Sequence, residues 1–170
     1  PLLLQCPDLF GRGKRMEEVV AGIDIGPTCL DAAGLKAPDS MQGRSFLPLA
    51  KGEKIAWREA LLYEYYWERN FPQTPTMHAV RGDRYKYVRY QGLWDLDELY
   101  DLKTDPLELQ NLIRSAEHRP IVQRMNKQLF SILEETGGMY IPLNADRTLN
   151  QSDKRKPTGS KSAEFPPPKN

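Results

Sequence analysis

The sequence predicts an α+β chain: the end of an α/β unit, followed by a small antiparallel sheet packed by a C-terminal helix. Three observations carry this. Leu2-Leu3-Leu4-Gln5-Cys6 is an almost continuous apolar run, which suits a strand buried on both faces of a parallel sheet. Leu61–Trp67, Met77–Val88 and Glu98–Leu102 are rich in β-formers and separated by turn residues. Val122, Met125, Leu129, Ile132 and Leu133 recur at helical spacing. The boundaries follow as 1–58 for the end of the α/β unit and its connection, 59–143 for the sheet with its closing helix, and 144–170 for a polar tail.

Taken in order, the leading run stops at Pro7-Asp8 and is expected to need strands from elsewhere, because a lone strand leaves its backbone groups unpaired. Gly11-Arg12-Gly13-Lys14-Arg15 reads as a solvated loop, since it lacks the spacing of a phosphate-cradling GxxxxGK[ST] loop. Asp24 is placed to cap a helix that has Pro27 in its first turn and Gly34 at its left-handed end. Residues 37–58 read as a connection. Leu61–Trp67 is expected as a central strand, and Asn70–Pro75 as a proline-stiffened loop.

Gly82-Asp83 suits a two-residue hairpin turn with glycine in the first central position. That turn pairs Val80 with Tyr85, His78 with Tyr87 and Met77 with Val88. His78, Val80, Tyr85 and Tyr87 then share one face, and Met77, Ala79, Arg81, Arg84, Lys86 and Val88 the other. Asp105-Pro106 ends the next strand. Ser115 is read as the cap of a long helix ended by Gly137-Gly138, lying across the apolar side of the sheet. The tail, with few apolar groups and a Pro-Pro-Pro run, is expected to be disordered.

Net charge is +1, which gives no reason to expect a nucleic-acid partner. The tail carries six basic against three acidic residues, so the rest of the chain is slightly acidic. No apolar run approaches the roughly 20 residues of a membrane span. Cys6 and Cys29 could bridge, but a single pair reads more naturally as free, buried thiols.

Two blocks then carry a resemblance. Arg81-x-x-Arg84-Tyr85-Lys86-Tyr87-Val88 is followed by Glu98-Leu99-Tyr100-Asp101-Leu102-x-x-Asp105-Pro106-x-Glu108-x-x-Asn111-Leu112. Together they resemble the C-terminal signature of type I, formylglycine-dependent sulfatases of the alkaline phosphatase superfamily. Val20–Thr28 with Asp31 and Gly34, and Gln42-Gly43-Arg44-Ser45-Phe46-Leu47-Pro48-Leu49, match the same pattern in order. The segment 70–81 is most similar to the N-acetylglucosamine-6-sulfatase-like, heparan-degrading branch. The resemblance implies that the chain is the C-terminal part of such an enzyme, cut from the rest of its catalytic domain. The parent is expected to hydrolyse sulfate esters of glycosaminoglycan or amino-sugar units, in the periplasm or outside the cell.

The resembled enzymes attack with a formylglycine made in a C/S-x-P-S/A-R motif, beside a Ca2+ ion held by oxygen ligands. Here Cys6 is followed directly by Pro7, with Phe10 where the arginine belongs, and no acidic cluster has metal-site spacing. Both groups are therefore expected upstream in the parent. No catalytic or metal-binding residue is assigned to this chain, no cofactor is expected on it, and alone it is expected to be inactive.

Substrate contacts are assigned to His78 and Arg81. His78 is implied by the resemblance, against the alternative of a strand histidine stacked on Tyr87. Arg81, with Arg84 and Lys86, is a cation that could meet an anionic sugar. Trp67 and Trp94 are sugar-stacking candidates or buried packing, and His118 is read as solvated. Two rival readings remain: a stand-alone carbohydrate-binding or scaffolding module, and a phosphatase or phosphonate hydrolase of the same superfamily.

Overall fold

The computed structural model describes residues 2–66, 74–91, 96–141 and 160–161. The chain divides into two compact units, residues 1–59 and 60–170. Trp67, Trp94, most of the 70–75 loop and nearly all of the tail lie outside the described residues.

In the first unit a short 3-10 turn, Gly22–Asp24, leads directly into α1, Ile25–Ala32. Gly34 ends it at φ +73°, and the Leu35 amide donates to the Leu30 carbonyl, closing the left-handed end foreseen from the sequence. A second short helix, α2 (Leu47–Lys51), interrupts what reads as a connection in the sequence; Pro48 sits in its first turn and Gly52 closes it at φ +91°. Its core is small: Val19, Phe46, Leu47, Leu49 and Ala50 are buried.

Residues 2–6 form no strand. Their leucines are exposed, Leu3 by 91%, because none of the described residues offers them a partner edge. Both cysteines are free, but Cys29 is exposed rather than buried, since it lies on the outer side of α1.

The second unit is a four-stranded antiparallel sheet in sequential order: β1 (Ala60–Tyr65), β2 (Met77–Gly82), β3 (Tyr85–Tyr90) and β4 (Glu98–Asp101). β1 is therefore an edge strand, not the central one, because successive hairpins place the first strand outermost. α3 (Arg119–Glu135) lies on one face. Val80, Tyr87 and Leu99 of the sheet meet Val122, Met125, Leu129, Phe130 and Leu133 of the helix. Gly137, at φ +71°, and a Gly138 amide bonded to the Leu133 carbonyl stop the helix where the glycine pair indicates. A short pair, β5 (Tyr140–Ile141) with β6 (Ser160–Lys161), follows.

The hairpin register is displaced from the sequence-based one by two residues. Val80 faces Tyr87, His78 faces Arg89 and Met77 faces Tyr90, which leaves Asp83 and Arg84 as the loop. The cause is tertiary. Arg84 donates through Nε and Nη2 to the Asp101 carboxylate at 2.7–3.1 Å, and its carbonyl accepts the Leu102 amide at 2.7 Å. A displacement of one residue would exchange the faces, but a displacement of two preserves them. His78, Val80 and Tyr87 still share the helix-facing side.

Two capping assignments also change. Ser115 lies in a turn before α3, and its hydroxyl lies 2.8 Å from Nδ1 of His118, which holds the N-cap position and is half-buried rather than solvated. Asp24 holds the N-cap position of α1, but its carboxylate makes no capping bond to the helix; its bonds go elsewhere, as described next.

Candidate functional site

The motif-bearing residues form three arrangements. In the first unit, the two motif blocks 20–34 and 42–49 are clasped around Asp24. Its carboxylate is fully buried and accepts from the Ala21 and Arg44 amides, both at 2.9 Å, and from both terminal nitrogens of Arg58. Burial pushes the carboxyl up, but the Arg58 hydrogen bonds and the two amides outweigh it and hold it below its ordinary value. Thr28 extends the clasp, donating to the Asp24 carbonyl at 2.6 Å and accepting the Phe46 amide at 3.1 Å. Gly43 is required there: a Cβ would stand 1.9 Å from the Ile23 carbonyl oxygen. Arg58 also lies over the Trp57 ring, and the Trp57 indole donates to the Val19 carbonyl. This is an architectural site rather than a reactive one.

A cavity of about 570 Å3 lies in the same unit, walled by residues 2–7, Phe10, Val20, Phe46 and Ala50, with Arg12, Lys14 and Arg15 at its rim.

The second arrangement lies on the helix-facing side of the sheet. His78 is fully buried. Its Nδ1 is 2.9 Å from the Gln91 side-chain nitrogen, its Nε2 is 3.9 Å from Glu64 across the strand pair, and Tyr66, not Tyr87, meets its ring edge-on at 5.7 Å. Tyr66 in turn donates to Glu64 at 2.8 Å. Directly across from His78 on β3 is Arg89, whose guanidinium is 3.2 Å from Asn126 of α3, 3.7 Å from Asp97 and stacked over Phe130. The Tyr87 hydroxyl stands between Asp97, at 3.0 Å, and Asn126, at 3.2 Å. Burial and the Asp97 charge push that phenol far above its ordinary value, so it acts as a fixed neutral donor. Sequence reasoning missed Asp97, Arg89 and Asn126. Only Asn126, a polar residue one step after Met125 on an otherwise apolar helix stripe, left a signal.

The third arrangement is the opposite face. Arg81 is exposed there, so the two assigned contact residues, His78 and Arg81, point to opposite sides of the sheet. Lys86 is paired with Glu108 and lies over the Tyr100 ring. Glu108 reaches it from the left-handed region, φ +56°, a strained conformation for a residue with a side chain.

Among the described residues, no three of His, Cys, Asp or Glu gather as a metal site requires.

The comparisons with known proteins agree with this architecture. Residues 1–135 match the model of the N-sulphoglucosamine sulphohydrolase C-terminal family. The chain belongs to that family. Within it the chain is similar to an N-acetylglucosamine-6-O-sulfatase from Bacteroides thetaiotaomicron, 29% identical over 161 residues, covering 91% of the chain and 28% of that protein. The solved structure of a 2-O GAG sulfatase superposes with a TM-score of 0.62 at 27% identity, over 86% of the chain and 30% of its own. A phosphonate monoester hydrolase from Agrobacterium radiobacter gives 0.54 at 30% identity, over 66% and 24%. The family's C-terminal sheet and helix are thus the fold seen here, and the chain spans less than a third of each of these proteins.

Proposed function

We propose that the chain is the C-terminal portion of a sulfatase that hydrolyses sulfate esters on glycosaminoglycan or amino-sugar units. The observation that carries the reading is the family match over residues 1–135, together with relatives whose names specify sulfated sugars. In this reading the formylglycine nucleophile and the Ca2+ belong to the part of the enzyme that the chain does not include, and the chain completes the body around them. Its partners are that remainder and a sulfated carbohydrate. Location in the periplasm or outside the cell belongs to the same proposal.

Alone, the 170-residue chain is expected to leave 4-nitrocatechol sulfate and sulfated glucosamine unhydrolysed. The full-length enzyme is expected to turn them over. Turnover by the isolated chain would overturn the division of labour, and a full-length enzyme that cleaves phosphonate monoesters but not sulfate esters would replace the reading. That second outcome is kept in view by the likeness to a phosphonate monoester hydrolase.

Arg81 is exposed and is the direct candidate for contact with the sugar's negative charge. His78 is enclosed, so it reaches a sugar only if Tyr66 or Gln91 moves aside. Replacing His78 by Ala in the full-length enzyme separates the two roles. A fall in kcat/KM at unchanged melting temperature marks a substrate contact; a fall in melting temperature at unchanged kcat/KM marks a structural histidine.

A further inference from the structure

We infer that the outer side of α1 is a docking face, covered in the parent enzyme by an apolar layer of the polypeptide outside this chain. The inference rests on the reading above that the chain is one portion of a longer enzyme, and it names a surface by which the two portions meet.

α1 is apolar on two sides. One side is already used: Pro27 and Thr28 are buried, and the Thr28 hydroxyl accepts the amide of the buried Phe46. On the other side Ile25, Cys29, Ala32 and Ala33 follow one another at helical spacing, and all four are exposed. Larger apolar groups extend that stripe. Ile23 precedes it, and Leu35, 59% exposed, follows it. Met41 lies against it, with its Sδ and Cε 3.8–3.9 Å from where a Cβ on Gly26 would stand. The stripe itself carries no charge. Asp31 is bonded to the Ser45 hydroxyl, and Lys36 is paired with Asp39.

A helix apolar on both sides belongs between two layers, and among the described residues this one meets only one. The unit formed by residues 1–59 also exposes more large apolar side chains than it buries, Leu2, Leu3 and Leu4 among them. A unit so small holds together poorly with that much apolar surface in water. Length and charge then select the occupant. In the 2-O GAG sulfatase the matched fold is 30% of the chain, so most of that polypeptide lies outside it. An uncharged stripe offers nothing to a sulfated sugar or a nucleic acid, which both call for cations. It suits an apolar helix or sheet surface of the same enzyme.

Alkylation of Cys29 reads the face directly, because its thiol is free and belongs to the exposed stripe. Iodoacetamide labelling of the peptide that holds it is followed by mass spectrometry in three samples: the 170-residue chain, the native full-length enzyme, and that enzyme in urea. The isolated chain is expected to label near the urea rate, and the native enzyme at least about a hundredfold more slowly. Ile25→Lys is expected to leave the urea midpoint of the isolated chain unchanged, since the side chain is exposed there, and to raise the Cys29 rate in the full-length enzyme at least about tenfold. Met41→Gln, milder and outside the helix, is expected to act in the same direction, which keeps the test alive if the first full-length variant fails to fold. A native enzyme that labels at the isolated chain's rate overturns the inference. So does protection of Cys29 in the isolated chain that grows with its concentration, which makes a second copy the occupant. Sulfate-ester turnover is measured on the same wild-type samples. An active enzyme with an open Cys29 defeats the docking face alone, and an inactive one with a masked Cys29 defeats the sulfatase reading alone.

Discussion

Asp24 and Asp101 hold their charges by different means, and the difference sets what acid does to each. Asp24 is buried with Arg58, whose side chain is only 10% exposed. Removing one partner of such a pair strands the other, so Asp24→Asn is expected to destabilise the first unit by about 3 kcal/mol. Faster hydrogen exchange at the Arg44 and Phe46 amides, which this clasp protects, would report it. Asp101 is held down to about 2, chiefly by its hydrogen bonds from Arg84. A carboxyl depressed in the folded state contributes stability that is present above its unfolded value, near 3.8, and lost as pH falls through the folded one. The wild-type chain should therefore lose stability between about pH 4 and 2. Asp101→Asn should flatten that limb of an acid titration, although the half-exposed Arg84 limits the size of the effect. Gly43→Ala places a methyl against the Ile23 carbonyl, and a urea melt should show a loss of about 2 kcal/mol or more.

At the scale of elements, α3 and the sheet depend on each other. Leu129 and Leu133 are fully buried between them, and Phe130 packs under the Arg89 guanidinium. Leu129→Ala is expected to cost about 2–5 kcal/mol in chemical denaturation, with the whole second unit melting together. The helix stripe was legible because Val122, Met125, Leu129 and Leu133 repeat at its own period, and its end was legible because Gly137-Gly138 supplies the left-handed turn. The faces of the hairpin were legible for the same reason: alternation is local. Its register was not. The turn chemistry of Gly82-Asp83 is weaker than an arginine bonded to a strand that the sequence places 17 residues away. The leading run Leu2–Cys6 shows the converse limit. Its composition suits a buried strand, but a strand exists only where another backbone meets it.

For the molecule as a whole, the family and the order of its parts could be read from two motif blocks and their spacing, whereas the division of tasks among the motif residues could not. Asp24 reads as a helix cap because aspartate before a proline-bearing turn usually is one. It serves instead as the acceptor for Arg58, 34 residues on. His78 and Arg81 read as residues of opposite faces because they are an odd number of positions apart in the strand, and the structure keeps them so; what it adds is that His78 is fully enclosed.

The sequence by itself determined the periodic features of this protein: the helix stripe, the two faces of the hairpin, the glycine ends of the helices, and the family to which the motifs point. Only the tertiary structure decided the edge position of β1, the two-residue register, the partner of Asp24, and the acidic partners of Arg84, Lys86 and Arg89. The physical reason is one of range. Periodicity and turn chemistry act between near neighbours in the chain, whereas charge pairing and strand register are settled by groups that meet only after the chain has folded.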